Sequence, residues 1–572
     1  MVLIDRIKKE VIELLEKSKI AKGVDIEKTL EEPPETKFGD LASNISFHLA
    51  KKLKKNPEKL AKNIVESISI PENSLVEKVE AKNGYINFFF DYRKLAETVL
   101  KEILSEELGI EDFGFGKKVM VEFSQPNPVH PMHVGHARST FLGESLSNIL
   151  EFLGFDVIRA NYMNDTGLQV AKLVTAYKLW GEGKEPEGKP DLWLWKFYVK
   201  FHEEAKKNPD LEKKAREMLR KFEVERDEKT RELWDKVVRW CISGFQETYR
   251  KLGVEFDIYF FESDFREAGK KLIERALEKG IAFKSEEGTI VADLEKYGLS
   301  NCVLLRSDGT GLYITSDLGM TVHKFEEYNL DESIWVVASS QNLHFKQLFK
   351  ILELLGYPWT DKCYHFSFHH VHLPEGKMSS REGRAVMIDE VLQKLIERVL
   401  KEVEKKNPDL PDKGKLELAK KIAVGAFKYN ILKVEPHKPI TFDWERMLSL
   451  EGDTGPYLQY AFVRATKILE KAGEWEMKFS IDNINEKEKT LIKELSNLSQ
   501  VILEAGKNKK PHHICNYAHE LAEKFSDFYH SCPVIKAENE ELRNFRLTLV
   551  KAFKIALGIC LRLLGIETPS FM

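Results

Sequence analysis

Two short segments far apart in the chain carry residue types suited to binding phosphate. The first is His133-Val134-Gly135-His136, and the second, about 240 residues later, is Lys377-Met378-Ser379-Ser380-Arg381. Two imidazoles at a helix start donate hydrogen bonds to phosphate oxygens, while a lysine and two hydroxyls in a glycine-flanked loop supply charge and further donors. Either segment alone is equally consistent with a helix cap or a solvated surface loop. Their pairing predicts a split ATP site formed by His133, Gly135, His136, Lys377, Met378, Ser379 and Ser380, with His133, His136 and Lys377 as catalytic residues.

The sequence around the first segment predicts the elements that hold it. A β-like run, Lys117 to Phe123, is followed by a proline-rich turn and then by a helix whose apolar residues fall on one face. Strand, ligand-binding turn and helix are the start of a doubly wound α/β sheet. Short apolar runs predict further parallel strands at residues 289–292, 311–315, 333–338 and 365–372.

The pattern along the chain predicts three domains. Residues 1–112 mix helical periodicity with one strand and indicate an α+β module, and residues 113–415 contain the parallel sheet. A charged, tryptophan-bearing helical insertion is expected at about 181–245. Residues 416–572 are almost entirely helical in pattern, which predicts an all-α bundle.

Composition restricts the possible classes of protein. The chain has 572 residues, 31% of them charged, but a net charge of only -4, so a polyanionic partner has to be held by local basic patches. The amino terminus lacks the apolar core of a signal peptide, and no apolar run is long enough to span a bilayer. Six scattered cysteines form no Cys-x-x-Cys pair, which favours a reduced cytoplasmic location.

The motifs resemble those of a known enzyme family. HVGH and Lys377 to Arg381 resemble the HIGH and KMSKS signatures of class I aminoacyl-tRNA synthetases, and Glu122-Phe-Ser-Gln-Pro-Asn127 followed by HVGHARST resembles arginyl-tRNA synthetases. The segments Lys37 to Asn44 and Gly84 to Phe88 resemble that family's amino-terminal tRNA-binding module. Gly455 to Ala461 is similar to its anticodon-binding domain. The resemblance covers nearly the whole chain and implies a Rossmann-type catalytic domain.

The resemblance also implies an arginine site. In that family, the positions matching Glu122, Tyr313 and Asp317 hold the guanidinium group. A guanidinium is a planar fork of hydrogen-bond donors, so its pocket should offer matching carboxylates and contain no competing cation. Taken alone, Tyr313 and Asp317 are better explained as a strand-end aromatic and a helix cap, whereas their combination with Glu122 and Gln341 favours the arginine site. The full predicted set is Glu122, Ser124, Asn127, His136, Tyr313, Asp317 and Gln341.

Contacts to tRNA are expected at both ends of the chain. The carboxyl-terminal helices combine aromatic rings and donors suited to unstacked bases, although helical packing is the competing explanation for the tyrosines. A lysine-rich stretch between Lys51 and Lys62 is either a solvated helix face or a phosphate-contacting surface. The predicted tRNA-binding residues are Asp40, Asn44, Tyr457, Gln459, Tyr460 and Arg464.

The implied reaction has two steps, with ATP, Mg²⁺, L-arginine and tRNA(Arg) as its substrates and cofactors. The arginine carboxylate attacks the α-phosphate of Mg-ATP, and the terminal 2′-hydroxyl of the tRNA then takes the arginyl group. We expect no editing domain, because lysine and neutral side chains leave a buried carboxylate poorly matched. A monomer is expected.

One position departs from the family pattern. Ser380 stands where the second loop often carries another lysine, and members without that lysine usually have one three residues before HVGH, where this chain has His130. Arg381, Arg384 or a protonated His130 are the candidate replacements, and Mg²⁺ with Lys377 is the alternative that needs none of them.

Other readings predict different features. The cluster Cys363, His365, His369, His370 and His372 alternates between the two faces of a strand, so a single metal site is not expected.

A synthetase or ligase for a thiol amino acid needs zinc ligands near its substrate. A simple nucleotidyltransferase needs neither terminal module, and a non-enzymatic tRNA-binding protein does not need an intact HVGH and Lys377.

Overall fold

The computed structural model describes residues 2–18, 24–372, 385–447, 449 and 452–572. Its amino-terminal part is a four-stranded antiparallel sheet, in the order β1-β2-β4-β3, packed against four helices. Asn56 caps one of these helices by accepting from two backbone N–H groups, and Pro57 follows at the first helical position. The elements are α1 Leu3–Lys17, β1 Leu30–Glu31, β2 Leu41–Ser43, α2 Ile45–Leu53, α3 Pro57–Ser67, β3 Val76–Lys82, β4 Tyr85–Phe90 and α4 Tyr92–Ser105.

The central part is built on a five-stranded parallel sheet in the order β12-β11-β5-β6-β7. In chain order, β6 and β7 follow β5 on one side of the sheet, and β11 and β12 are then added on the other side of β5. The strand order therefore reverses between β5 and β11, which is where doubly wound sheets bind ligands. The first elements are β5 Lys118–Glu122, α5 Val134–Phe152, β6 Asp156–Met163, α6 Leu168–Trp180, α7 Pro190–Lys207, α8 Asp210–Glu223, α9 Glu228–Leu252, β7 Ile258–Phe261 and α10 Glu262–Glu278.

The second half of the central part adds a small antiparallel sheet, β10-β9-β8, between α10 and α11. Its elements are β8 Ala282–Lys284, β9 Ile290–Ala292, β10 Cys302–Leu305, α11 Tyr313–Tyr328, β11 Glu332–Ala338, α12 Asn342–Leu355, β12 Cys363–Phe368 and β13 Val371–His372. The doubly wound fold class predicted from the sequence is confirmed. The helical insertion predicted at about 181–245 corresponds to α7, α8 and α9.

Of the predicted parallel strands, 333–338 is confirmed, 365–372 is right only over residues 365–368, and the other two are wrong. Residues 290–292 belong to the small antiparallel sheet instead of the parallel one, and residues 371–372 pair with residues 440–441 instead of extending β12. In the segment 311–315, Gly311 forms an isolated antiparallel bridge with Leu305, and α11 begins at Tyr313. The Thr315 hydroxyl accepts the N–H of Leu312 at 2.9 Å and caps this helix. The β-branched residues at 314 and 315 suggested a strand, but this cap decides the local conformation.

Close packing of α5 on β5 depends on one glycine. A Cβ on Gly143 would lie 2.2 Å from the ring of Phe123, the residue that follows β5. Only a residue without a side chain allows the helix to approach the strand this closely. The approach brings the amino terminus of α5 to the edge of the sheet where β5 ends.

The carboxyl-terminal part is almost entirely helical, as predicted. Its elements are α13 Ile388–Lys406, α14 Asp412–Leu432, β14 Ile440–Thr441, α15 Trp444–Met447, α16 Gly455–Ala472, α17 Glu486–Ser496, α18 Leu498–Lys507, α19 His512–Ser531 and α20 Glu540–Leu563. The predicted boundary between residues 415 and 416 falls near the start of α14. Among the residues that the structure describes, no helix is long and apolar enough to cross a membrane.

Candidate active site

The HVGH segment forms the first turn of α5, and its two histidines cap that helix. His133 Nδ1 accepts the N–H of Gly135 at 3.1 Å, and His136 Nδ1 accepts the N–H of His133 at 3.1 Å. The two imidazole rings stack with centroids 3.9 Å apart. The capping interpretation and the functional one are therefore compatible, because capping uses only one nitrogen of each ring.

This geometry fixes the protonation of both rings. A nitrogen that accepts a hydrogen bond carries no proton, so each neutral imidazole holds its proton on Nε2. Burial, followed by the charge of His130, lowers the pKa of His133 to about 3. Burial and the neighbouring histidines also hold the pKa of His136 well below its ordinary value. Both side chains are neutral Nε2–H donors at neutral pH.

The turn between β5 and α5 is held in a constrained backbone conformation. Ser124 and Gln125 both have positive φ, at 77° and 48°, which residues with a side chain rarely adopt. The N–H of Ser124 donates to Ser139 Oγ at 3.0 Å, and the Ser124 hydroxyl lies 2.7 Å from the Tyr249 hydroxyl. The side chain of Ser124 is buried in this network and holds the turn, and its predicted contact with arginine stays a prediction.

Arg138 ties α5 to a distant loop. Its fully buried guanidinium donates through Nη2 to the backbone oxygens of Glu435, Pro436 and Lys438, at 3.1, 3.2 and 2.7 Å. Pro436 O also accepts the N–H of His369 at 2.9 Å. The residues that follow HVGH in the sequence motif therefore have structural roles.

The chain that follows the second signature segment runs directly beside HVGH. The N–H of Val134 donates to Val386 O at 3.0 Å, and the N–H of Ile388 donates to Met132 O at 2.9 Å. His133 and Met387 form the antiparallel bridge between these two bonds. Lys377, Met378, Ser379, Ser380, Arg381 and Arg384 themselves lie outside the described residues.

Two further histidines lie near the stacked pair. The ring of His130 is 5.7 Å from the rings of both His133 and His136, and its Nδ1 donates to Pro131 O at 3.0 Å. His370, which the sequence placed in the cysteine and histidine cluster, is exposed and close enough for its charge to lower the pKa of His133. Both join the arginines of the second loop as candidates for the missing positive charge.

The predicted arginine-binding residues gather around the same edge of the sheet. Asn127 is exposed in the turn after β5, and with Tyr313 it lines a pocket of about 650 Å³. Asp317, one turn into α11, accepts a 2.6 Å hydrogen bond from His344 Nε2. Although burial opposes it, this bond and the charge of Asp317 raise the pKa of His344. Gln341 is exposed at the start of α12, beyond the end of β11.

The expectation that the arginine pocket contains no competing cation is wrong at Glu122. This residue is 2% exposed and forms an ion pair with Lys324, which is fully buried. The other carboxylate oxygen of Glu122 accepts from Gln125 Nε2 at 2.8 Å. Lys324 also lies over the rings of Phe260 and Trp335, at 5.1 and 5.0 Å. Glu122 therefore has internal partners on both oxygens.

Asp317 belongs to an acidic cluster that was not predicted from the sequence. Burial and then the charges of Asp317, Glu262, Glu122 and Asp165 raise the pKa of Tyr162, which places four carboxylates around that ring. In the described part of the chain, the Tyr162 hydroxyl and Glu262 Oε2 are buried without a hydrogen-bond partner. Two unpaired acceptors among carboxylates are suited to a guanidinium group.

Glu262 has an unusual charge state. It is 1% exposed, and its other oxygen accepts from Arg266 Nη2 at 3.3 Å. Burial, with the charges of Asp317 and Asp165, raises its pKa to about 7 against the effect of Arg266. Glu262 is the first residue of α10, directly after β7, and the signal for it was a carboxylate at a strand end that the sequence analysis did not recognise.

The two tRNA predictions in the amino-terminal part differ in outcome. Asp40 is buried, and its carboxylate accepts from the N–H of Phe90 at 2.9 Å and from the Tyr92 hydroxyl at 2.5 Å. Its side chain therefore stabilises the module and is not available to a nucleic acid. Asn44 is partly exposed and donates to Glu31 at 3.1 Å. All six lysines of the predicted basic stretch are exposed, namely Lys51, Lys52, Lys54, Lys55, Lys59 and Lys62.

Three of the four predicted residues in α16 reach the surface. Tyr460 is 39% exposed, with the Arg464 guanidinium 4.7 Å from its ring centroid. The same guanidinium lies 5.6 Å from the ring of Tyr529, which the sequence analysis missed. Tyr457 packs edge-on against His519. Gln459 is fully buried and donates to the backbone oxygens of Lys421 and Glu567, so the prediction that it contacts tRNA is wrong.

The cysteine and histidine cluster does not converge. His365 Nε2 lies 3.0 Å from Val337 O, on the sheet, while His370 faces Ser340 at 3.2 Å. Among the described residues, no group of three or more histidine, cysteine or acidic side chains could hold a metal ion.

Comparison with known proteins accounts for the whole arrangement. A family model described as the catalytic domain of class I tRNA synthetases (R) matches residues 99–444. Models for the arginyl tRNA synthetase N terminal domain and the DALR anticodon binding domain match residues 2–90 and 458–572.

Individual proteins match over nearly their full length. An arginine--tRNA ligase from Halothermothrix orenii is 38% identical, covering 96% of each chain. One from Clostridioides difficile is also 38% identical, covering 99% of this chain and 98% of its own. The structure of Thermus thermophilus arginyl-tRNA synthetase superposes with a TM-score of 0.81 at 29% identity, covering 99% of this chain and 100% of its own.

The match over residues 99–444, together with the doubly wound sheet and the helical carboxyl-terminal part, shows a class I aminoacyl-tRNA synthetase. Given the identity and coverage of its relatives, the chain belongs to the arginyl-tRNA synthetase family. It is a ligase that activates arginine with ATP and charges tRNA.

Proposed function

We propose that the two substrates of the first step meet across the turn between β5 and α5. The observation that carries this proposal is the presence of two neutral imidazole donors at the start of α5 and of an acidic, partly unsatisfied cluster around Tyr162, at the carboxyl ends of β5, β6 and β7. In this arrangement the arginine carboxylate attacks the α-phosphate of Mg-ATP, and pyrophosphate leaves. The 2′-hydroxyl of the terminal adenosine of tRNA(Arg) then attacks the adenylate and releases AMP.

On the nucleotide side, His133 and His136 donate from Nε2 to the phosphate oxygens as negative charge develops on them. Preorganised donors are effective because they need no rearrangement during the reaction, and removing one typically lowers kcat by about 10²–10³. Gly135, between them, leaves room for the nucleotide. Lys377, Met378, Ser379 and Ser380 are proposed to complete the phosphate contacts from the second loop, on the strength of the sequence.

On the amino-acid side, Asp317 and Glu262 bind the guanidinium, and the Tyr162 hydroxyl accepts from it. Asn127 and Gln341 hold the amino and carboxylate groups of arginine, and Tyr313 covers the pocket. Glu122 contributes mainly through its pairing with Lys324, which holds β5 against α11. Lysine offers no planar fork of donors to these carboxylates, so we propose that discrimination needs no editing site.

On the nucleic-acid side, we propose that Tyr457, Tyr460, Arg464 and Tyr529 stack on or bond to anticodon bases. The lysines of α2 and α3 contact phosphates, with Asn44 at the same module. Exposed aromatic rings beside an arginine suit unstacked bases, and each such stacking contact typically contributes about 1–3 kcal/mol. Because one chain then holds every site of the reaction, we propose that it acts as a monomer, and the scattered cysteines support a cytoplasmic location.

The direct test is arginine-dependent exchange between ATP and pyrophosphate, together with charging of tRNA. Each is measured with arginine, lysine and cysteine, and exchange is measured with and without tRNA. We expect arginine alone to support both reactions. Charging with cysteine, or exchange that is indifferent to arginine, rules the proposal out.

A further inference from the structure

A largely buried ion network joins the helical insertion to the start of α13. Lys189, which precedes α7, places Nζ 2.7 Å from Asp191 Oδ2 and 2.8 Å from Asp389 Oδ2. Lys251, at the end of α9, places Nζ 2.8 Å from Asp389 Oδ1. The side chains of Asp191, Lys189 and Asp389 are 0%, 8% and 16% exposed. Two lysines and two aspartates balance their charges, so the network is neutral as a unit.

The surrounding residues are shaped to accommodate this network. A Cβ on Gly244 of α9 would lie 2.3 Å from Asp191 Oδ1, so only glycine leaves room for that carboxylate. Asp191 Oδ1 also accepts the N–H of Leu192 at 2.9 Å, and the Thr248 hydroxyl lies 3.4 Å from Asp389 Oδ2. The lysines keep the pKa of Asp389 below its ordinary value despite burial, which raises it. Asp389 is therefore held as an anion from two sides.

Asp389 directly follows the segment that pairs with the HVGH turn. Ile388 is bonded to Met132, and Val386 is bonded to Val134, the first residue of α5. The backbone bridge between His133 and Met387 lies between these bonds. Lys189 is bonded to Asp389, Asp389 is adjacent to Ile388 in the chain, and Ile388 is bonded to Met132, which precedes His133. Displacement of Asp389 therefore moves the chain that lies against the imidazole pair.

We propose that Asp389 is a positioning residue for the nucleotide site. Held by Lys189 and Lys251, it fixes the segment 386–388 against 132–134 and so sets where His133 and His136 present their Nε2 protons. The helical insertion, which contributes both lysines, thereby becomes part of the support of the ATP site. This inference rests on the roles proposed above for the two histidines.

The test compares variants in arginine-dependent ATP–pyrophosphate exchange with saturating tRNA. Asp389→Asn keeps the size of the side chain but removes its charge. We expect this variant to lower kcat/KM for ATP by about tenfold to a hundredfold, because small misplacements of catalytic groups have effects of this size. The Kd for arginine, measured separately by calorimetry, changes less than about twofold. Lys251→Met, at a half-exposed position that tolerates change, lowers kcat/KM for ATP by about threefold, and Lys251→Arg retains wild-type values.

Glu488→Gln is the matched control, because it removes one charge from the buried pair with Arg546 in the carboxyl-terminal helices. This control is expected to lose stability while its ATP kinetics stay at wild-type values. If the folded Lys251→Met and Asp389→Asn proteins show ATP kinetics like those of the control, the positioning role is refuted. If Asp389→Asn does not fold, the comparison of Lys251→Met with Lys251→Arg tests the positioning role. Absence of arginine-dependent exchange in the wild-type protein instead refutes the proposed function.

Discussion

Arginine binding is expected to release a proton from Glu262 near neutral pH. Burial raises the pKa of this carboxyl to about 7 in the unliganded protein, so roughly half of the molecules carry a proton there at pH 7. A bound guanidinium favours the ionised carboxylate. Binding at pH 7 should therefore release about half a proton for each arginine.

The size of the pH effect follows from the same value. With a pKa of about 7, the ionised fraction falls from about 0.9 at pH 8 to about 0.1 at pH 6, so the Kd for arginine should rise about tenfold over this range. Because arginine binding lowers the pKa of the Glu262 carboxyl, the affinity for arginine increases as the pH rises. Isothermal titration calorimetry in two buffers with different ionisation enthalpies measures the Kd and the proton count together.

Glu262→Gln should abolish the proton release and flatten the pH profile between pH 6 and pH 8. Asp165 and His344 are other nearby groups with a raised pKa, and protonated His344 also competes with the guanidinium for Asp317. The variant His344→Asn is the control, and it should keep the proton release that comes from Glu262. If Glu262→Gln still releases half a proton at pH 7, the reasoning is refuted and Asp165 or His344 becomes the source.

Three further changes test other parts of the structure. His133→Ala should lower kcat for exchange by about 10²–10³ and leave arginine binding in calorimetry unchanged, whereas a loss below fivefold contradicts phosphate donation by this ring. Lys324→Met leaves Glu122 buried without its cation and should therefore reduce the free energy of unfolding, measured in urea, by about 3–5 kcal/mol. The double variant Lys324→Met with Glu122→Gln should recover this loss. If Lys324→Met is as stable as the wild type, the ion pair does not have the proposed role. Tyr460→Ala should weaken tRNA binding in a filter assay by about 1–3 kcal/mol, while Gln459→Ala should affect only stability, and equal losses of tRNA affinity would contradict this assignment.

The parts of the site that were predictable are those encoded by neighbouring residues. HVGH and the helix after it are contiguous, so their spacing alone places two imidazoles on a helix start. The structure adds that each imidazole uses Nδ1 for capping, which fixes the proton on Nε2. That detail depends on backbone directions that no residue pattern specifies.

The errors come from contacts between distant parts of the chain. The partner of Glu122 is Lys324, about 200 residues later on α11, and no local pattern indicates that a lysine points back toward β5. Glu262 was missed because β7 is only four residues long and follows a long helical insertion. Gln459 was misassigned because a polar residue between two tyrosines suggests an exposed surface, yet α16 turns that position toward α14 and the carboxyl terminus.

The neutrality of the two imidazoles has a consequence for how both substrates are held. In the proposed site, arginine is a cation bound among carboxylates, ATP carries several negative charges, and both approach the turn between β5 and α5. Charged imidazoles would attract the phosphates but would also repel the guanidinium and neutralise the field of Asp317 and Glu262. His133 and His136, as neutral Nε2–H donors, bond to phosphate without adding charge of their own, so positive charge at the phosphates has to come from Lys377 and the other candidate cations. We therefore propose that the low pKa values of His133 and His136 limit the positive charge near the arginine side chain while both rings still donate to phosphate.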